Sequence, residues 1–276
     1  MAITNFIPTI WSENLKSALD TQYIGVAHCN RDYEGEIKNM GSVVKICGIG
    51  PINVNDYTKN TDMSAPQALD DSVKELCIDK ARFFNFQIDD VDKTQCTPKL
   101  MDVAMKSAAA ALANDADKFV YSLYNKAAYI LTRPYDSEKS LIDMIIDARR
   151  YLYENDVNDS SSIVLEVSPA VAAKILKEKI ALTNNPEIID SGYIGSVAGC
   201  NIYVSNNICK DMDNQMHHVN HCIMRTTRAI AFAEQLSEID AYRPEKRFAD
   251  AVKGLHLYGA KVVYPAEMIT LSITTD

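Results

Sequence analysis

Residues 98–130 read PKLMDVAMKSAAAALANDADKFVYSLYNKAAYI, and this stretch decides the architecture. Met101, Met105, Ala108, Leu112, Ala116, Phe119, Leu123 and Ala127 recur every three or four residues, which draws one apolar stripe along a helix. Thr97 suits the N-cap and Pro98 the first turn. The run Ala108 to Ala111 adds intrinsic helix propensity, and Arg133-Pro134 stops the chain from continuing. The reading is an unbroken rod from Thr97 to Ala128, about 31 residues at ~1.5 Å each or roughly 46 Å. Such a helix exceeds ordinary globular length and is expected to serve as a spine for other elements.

Upstream lie two strand-like runs. SVVKICGIGPINVND (42–56) is an apolar run turning at Gly50-Pro51, and ELCIDKARFFNFQIDDV (75–91) places Leu76, Ile78, Phe84, Phe86 and Ile88 on one parity. YTKNTDMSAPQALDDS (57–72), between them, is polar and turn-rich. Together they predict a long β-hairpin. A two-stranded hairpin is marginal by itself in water, so its apolar side is expected to be covered by an adjoining copy of the chain. Residues 1–40 have no sustained period, although Phe6, Ile7, Ile10, Trp11, Leu15 and Leu19 allow one short amphipathic helix. That arm too is expected to be held by another subunit.

Downstream, residues 138–155 carry a second amphipathic stripe (Leu141, Ile145, Ala148, Leu152). SSIVLEVSP, ending at Pro169, reads as a buried strand, and Pro169 opens a short helix from Ala170 to Lys179. GYIGSVAGCNIYVSNNI (192–208) reads as glycine-punctuated turns leading into a strand from Asn201 to Ser205. This succession predicts a compact α/β unit. Residues 219–236 are read as a strand followed by a short helical or extended piece. GLHLYGAKVVYPAEMITLSI (254–273) is read as two strands parted near Pro265.

Composition excludes several function classes. Lys plus Arg is 28 against 37 for Asp plus Glu, a net charge of −9, which is the wrong sign for a protein that grips phosphates. The seven cysteines are odd in number and none forms a Cys-x-x-Cys pair, so neither a disulfide framework nor a redox motif is indicated. No secretory leader is read in residues 1–11 and no membrane-length apolar run follows, so the expected setting is a cytosol or a particle released from one.

His217, His218, His221 and Cys222 are the one metal-like cluster, but the surrounding QMHHVNHCIMRT reads as a loop entering a strand. Asp89, Asp90 and Asp92 lack the glycine and distal glutamate of a calcium loop. Gly192, Gly195 and Gly199 fit no phosphate-binding fingerprint, and no G-x-S-x-G nucleophile motif occurs. Arg225, Arg228, Arg243, Lys246 and Arg247 can pair with acidic partners or DNA, and the acidic total favours salt bridges between subunits. No catalytic residue and no cofactor are assigned.

FFNFQIDDVDKTQ (83–95), LMDVAMKSAAAALANDADKFVYSLY (100–124), GYIGSVAGCNIYVSNNI (192–208) and LHLYGAKVVYPAEMI (255–269) resemble, in this order and spacing, the major capsid proteins of tailed bacteriophages, the Hong Kong 97-type fold. The resemblance implies an α+β fold in four parts. These are an N-terminal arm (1–40), an extended β-hairpin loop (41–96), a peripheral domain on the spine helix (97–135, completed by part of 240–276) and an α/β axial domain (136–240). It further implies self-assembly into pentamers and hexamers of an icosahedral shell that encloses double-stranded DNA without sequence-specific binding. The implied setting is the virion, assembled in the bacterial host cytoplasm, with no membrane. Some relatives carry a scaffolding region before the arm; here the expectation is a separate scaffolding protein or none. A portal protein and a decoration protein are further candidate partners. Some relatives crosslink a loop lysine to a neighbour; Lys45, Lys59, Lys74 and Lys80 are available, and nothing in the sequence selects one. Candidate intersubunit contacts are Phe6, Trp11, Tyr57, Lys59, Asp62, Asp89, Asp92, Arg243 and Arg247. The alternatives are an encapsulin-type compartment subunit and, further off, a metal-dependent enzyme using His217, His218 and His221.

Overall fold

A computed structural model describes residues 7–33, 41–49, 56, 59, 71–89, 100–134, 140–157, 163–182, 195–213, 216–246 and 248–275. In it the helix α1 spans Ile7–Gln22 and the spine helix α2 spans Leu100–Tyr121, 22 residues. At ~1.5 Å per residue α2 is about 33 Å long, so the rod is shorter than its stripe. Past Tyr121 the chain tightens into a 3-10 turn, Ser122–Lys126, and then becomes strand β4, Tyr129–Arg133. The reason is a competing partner. Tyr129, Ile130 and Thr132 favour extended backbone, and β4 pairs in parallel with the later strand β12, Met268–Thr275. The stripe still points the right way: Met105, Leu112 and Ala116 are buried, and Leu123 and Ala127 pack beside the same core after the helix has ended. Thr97 and Pro98 lie outside the described residues.

One core lies between the helices and a three-stranded sheet. Its strands, in the order β10 (Ile230–Tyr242), β11 (Ala249–Val262) and β3 (Lys80–Asp89), are antiparallel. Leu15 and Leu19 of α1 are buried against α2 together with Phe232, Val252 and Tyr258. From Leu15 onward, therefore, the inward side of the arm is covered by its own chain, because two full Leu side chains find a core in cis. Asn30 extends this docking by exchanging backbone bonds with the edge of β10 (Asn30 N to Ile230 O, 2.9 Å; Phe232 N to Asn30 O, 2.8 Å).

The stretch 75–91, expected as one strand, is cut at Ile78-Asp79 into β2 (Asp71–Cys77) and β3, which belong to different sheets. β2 pairs antiparallel with β1 (Val43–Ile49) from Val43↔Cys77 to Ile49↔Asp71, so the hairpin exists. The parity is also real, since Leu76 and Ile78 are buried and Phe84 and Phe86 pack on the main core. The apolar side of the hairpin base, however, is covered within the same chain. Val44, Ile46, Leu76 and Ile78 form a cluster with Ala231, Ala233, Leu257 and Val263 of the hub. This corrects the expectation that only an adjoining copy covers it. Most of the polar tip lies outside the described residues.

A second core fills the seven-stranded sheet, ordered β4-β12-β9-β5-β7-β6 with β8 beside β9. Here β5 is Ile163–Val167, β6 Ser196–Val197, β7 Cys200–Val204, β8 Lys210–Met212 and β9 His218–Thr226. Helix α3 (Leu141–Glu154) starts at Ser140, whose Oγ accepts from Ile142 N at 3.1 Å as an N-cap does. Helix α4 (Pro169–Leu182) carries its proline in the first turn. Leu141, Ile145, Ala148 and Leu152 of α3 and Val171 and Ile175 of α4 face the sheet. β5 and β12 are buried along their whole length, their polar side chains included: Glu166 of β5 pairs with Arg225, and Thr270 Oγ1 of β12 donates to Tyr124 O at 2.6 Å. The piece after β9, open between helix and strand in the sequence, is the extended β10. Among the described residues no helix is long and apolar enough to cross a membrane.

Candidate assembly surfaces

The two cores meet at Arg225. Its guanidinium is fully buried on β9 and is satisfied on every side. Nε and Nη2 donate to the two carboxylate oxygens of Glu166 at 3.0 Å each, Nη2 donates to Gly25 O at 2.7 Å, and Nη1 donates to His28 O at 2.6 Å. A bidentate pair with its remaining donors matched is the arrangement in which burying two charges is tolerable. This corrects the expectation of an intersubunit role for Arg225, which is an internal joint of the subunit. From the other side Asp117 of α2 accepts Val26 N at 2.9 Å and Ile24 N at 3.1 Å. Burial pushes the Asp117 carboxyl up, and those backbone N–H groups pull it partway back. Burial likewise pushes the nearby Cys29 thiol up to about 11. Gly25 is needed here, since a Cβ would stand 2.9 Å from the Tyr121 ring. Between them these contacts hold the turn after α1 to both cores.

A second polar cluster closes the α1 side. Glu234 accepts from Arg31 Nη2 at 2.6 Å, contacts His256 Nε2 at 2.8 Å and accepts from the Tyr23 hydroxyl. Burial by itself would raise the Glu234 carboxyl, but His256, Tyr23 and Arg31 outweigh it and hold the group below its ordinary value.

The histidine cluster is dispersed. His217 Nδ1 lies 3.3 Å from Asp213 Oδ2, His218 is exposed at the start of β9, and His221 is buried. His221 and Cys222 are adjacent on a strand and so face opposite sides. Cys222 sits in the second core, where burial pushes its thiol up to about 12. His221 Nδ1 is 2.9 Å from Ser272 Oγ and its Nε2 is 3.0 Å from Asp211 Oδ2, while the Tyr124 ring stacks on it at 4.0 Å. This is a Ser-His-Asp contact without the layout of a nucleophile. Ser272 is the buried end, mid-strand in β12, and Asp211 is the exposed end. A substrate could not reach the hydroxyl. Among the described residues no three His, Cys, Asp or Glu side chains are placed to hold a metal.

Of the predicted contact residues, Phe6, Tyr57, Asp62, Asp92 and Arg247 lie outside the described residues. Trp11 falls within α1, Lys59 is exposed in a turn, Asp89 is exposed at the end of β3 opposite Ala249, and Arg243 is exposed just after β10. Asp89 and Arg243 fall at the same end of the three-stranded sheet, since Ala249 pairs with Asp89 and Ala251 with Tyr242. A further exposed surface is the outward face of the three-stranded sheet. Phe83 is 78 % exposed beside its register partner Leu255, and Tyr242 Oη donates to Asn85 Oδ1 at 3.2 Å on the same face. Phe248, at 81 % exposure, precedes β11. The signal was available, since Phe83 breaks the alternation of β3 by standing on its outward parity.

No family model and no curated protein matches the chain. Solved structures do. One from Mycobacterium phage Che8 matches with a TM-score of 0.72 and 26 % identity, covering 91 % of this chain and 91 % of that one. The capsid of cyanophage P-SCSP1u matches at 0.69 and 14 %, covering 90 % and 87 %. A virus-like particle from Pyrococcus furiosus matches at 0.55 and 13 %, covering 96 % and 99 %. The chain thus has the α+β fold of tailed-phage capsid structures, the Hong Kong 97-type fold its sequence resembles.

Proposed function

We propose that this chain is the shell-building subunit of a tailed bacteriophage, its major capsid protein, which assembles with copies of itself into pentamers and hexamers of an icosahedral shell around double-stranded DNA. The observation that carries this reading is the match over about nine-tenths of both chains to phage structures. Local physics supports it. A rigid hub fastened by Arg225 bears a hairpin and an exposed Phe83 face, and closed rings need such unlike surfaces to meet head to tail. A net charge of −9 suits a wall that encloses DNA without gripping it.

The same proposal divides the chain into an arm (1–40), an extended loop (41–96), a peripheral domain (97–135 with part of 240–276) and an axial domain (136–240). It places Lys59, Asp89 and Arg243, with Phe6, Trp11, Tyr57, Asp62, Asp92 and Arg247, at contacts between copies. Scaffolding, portal and decoration proteins are the partners it calls for. It takes the role to be structural, with no reaction catalysed. The encapsulin-type alternative draws support from the virus-like particle, whose likeness is weaker. Nucleic acid inside purified particles favours the phage reading, and a packaged enzyme favours the alternative.

Recombinant protein should form closed shells, tubes or sheets in negative-stain micrographs. Removing residues 57–70 spares Asp71 and Ser72, which pair with Ile49 and Gly48. That variant should remain a folded monomer that does not assemble, and normal particles from it would refute the proposal.

A further inference from the structure

The hairpin leaves the hub at a crossing with no slack. The corner at Cys77 and Ile78, where β2 ends and the chain turns into β3, rests directly on Gly259 of β11. A Cβ at Gly259 would lie 2.2 Å from the Cys77 carbonyl oxygen and 3.2 Å from Ile78 Cα, so backbone touches backbone. The floor on either side is made of small residues: Ala233 is the register partner of Gly259, and Ala231 is buried beside it. Two backbone bonds close the corner, Gly41 N to Ile78 O at 2.9 Å and Ile78 N to Ser42 O at 3.1 Å.

A second fastening sits further out. Lys74 Nζ donates to Val263 O and lies 5.4 Å from the centroid of the Tyr264 ring. The guanidinium carbon of Arg228 stands 5.7 Å from the same ring, and Arg228 is itself held by Glu267 at 2.6 Å. The carbonyl that Lys74 grips is not free to drift, because Val263 N and Tyr264 N both donate to Ala229 O, at 2.8 and 3.2 Å. The hairpin is thus fixed at two points along its length, and two points define a direction.

We infer that the take-off angle of the hairpin is set within each subunit by the Gly259 crossing and the Lys74 clamp, and that this angle selects the diameter of the shell. The second half rests on the proposed capsid role. The lever is long enough to matter: seven residues of β1 reach ~24 Å at ~3.4 Å per residue, so a tilt of about 5° moves the far end ~2 Å. Close-packed contacts do not absorb a displacement of that size.

Two variants test this. Gly259→Ala forces the corner away from the hub, and Lys74→Met keeps the aliphatic stem while removing the donor. Hydrogen exchange on unassembled subunits reads the fastening directly. In the parent the amides of Val44, Ile46 and Leu76 should be protected. In Gly259→Ala they should exchange at least about tenfold faster, with a smaller acceleration in Lys74→Met, while amides of β12 are unchanged. Electron micrographs read the consequence, a shifted or broadened particle diameter in both variants. Parent hairpin amides that exchange like an unfolded chain, or variants unaltered in exchange, would overturn the fixed angle. Faster exchange with an unchanged diameter would overturn the link to shell size. Should Gly259→Ala not fold, Lys74→Met decides by the same two readouts. Should the parent form no particles, the capsid role fails, yet the exchange data still decide the crossing.

Discussion

The joint around Arg225 and the sheet face around Phe83 lie on one molecule and treat water in opposite ways. The first buries a full ion pair and satisfies each donor. The second leaves an aromatic ring 78 % exposed. The inner region fixes how the arm, the spine helix and the two sheets sit together, and it gains geometry where an apolar joint would gain free energy more cheaply. The outer region contributes little to the lone subunit. Its apolar surface stabilises only when something else covers it. Side chains that fold the subunit and side chains that join subunits are therefore separable by mutation.

The largest expected effect is inside. Arg225→Ala strands the Glu166 carboxylate in the core and should cost about 3–5 kcal/mol, measured by urea unfolding of the monomer. The pair Arg225→Met with Glu166→Leu should recover most of that loss, and a double variant as unstable as the single one would show that the bonds to Gly25 and His28, not the ion pair, carry the joint. Next comes Leu19→Ala, which opens a hole between α1 and α2 and should cost about 2–4 kcal/mol. The loss should not depend on protein concentration; dependence on it would mean that the arm is covered by another copy after all.

Acid should act through Glu234. Its carboxyl is held low in the folded chain, so the stability it contributes is complete above the ordinary glutamate value near 4.5 and drains away as pH falls through the lowered folded value. Asp117 has the opposite sign, because burial raises it, and acid relieves its cost. Glu234→Gln should flatten the acid limb of a stability-pH curve, and an unchanged limb would remove Glu234 from the account. The smallest effect on folding is outside. Phe83→Ser should leave monomer stability within about 0.5 kcal/mol while lowering particle yield. A clear loss of monomer stability would erase the contrast between the two regions.

Much of this was legible in the residues. The stripe from Met105 to Ala116, the parity of Leu76, Ile78, Phe84 and Phe86, and Pro169 each declare a local structure, and each holds. What was hidden depends on partners distant in sequence. Ser122 to Ala128 look helical by stripe and instead tighten into a 3-10 turn that leads into β4, because β12 lies alongside, more than a hundred residues later. The break at Ile78-Asp79 depends on Gly259, which looks like any strand glycine until the corner is seen resting on it. Arg225 was misplaced for the same reason, since a charged residue amid an apolar strand gives no sign of whether a carboxylate waits inside. The exposure of Phe83 is legible too, since it stands one parity step away from Leu76, Ile78, Phe84, Phe86 and Ile88.

Strand β12 follows the other eleven described strands in the sequence, yet it lies inside the larger sheet, between β4 and β9, with all eight of its residues buried. Until residues 268–275 have left the ribosome, β9 lacks a neighbour and β4 has nothing to pair with. A nascent or prematurely terminated chain cannot close that sheet, and its apolar edge marks it for aggregation or degradation. The order of synthesis thereby acts as a quality check: only subunits read through β12 acquire the rigid body on which any copy-to-copy contact depends.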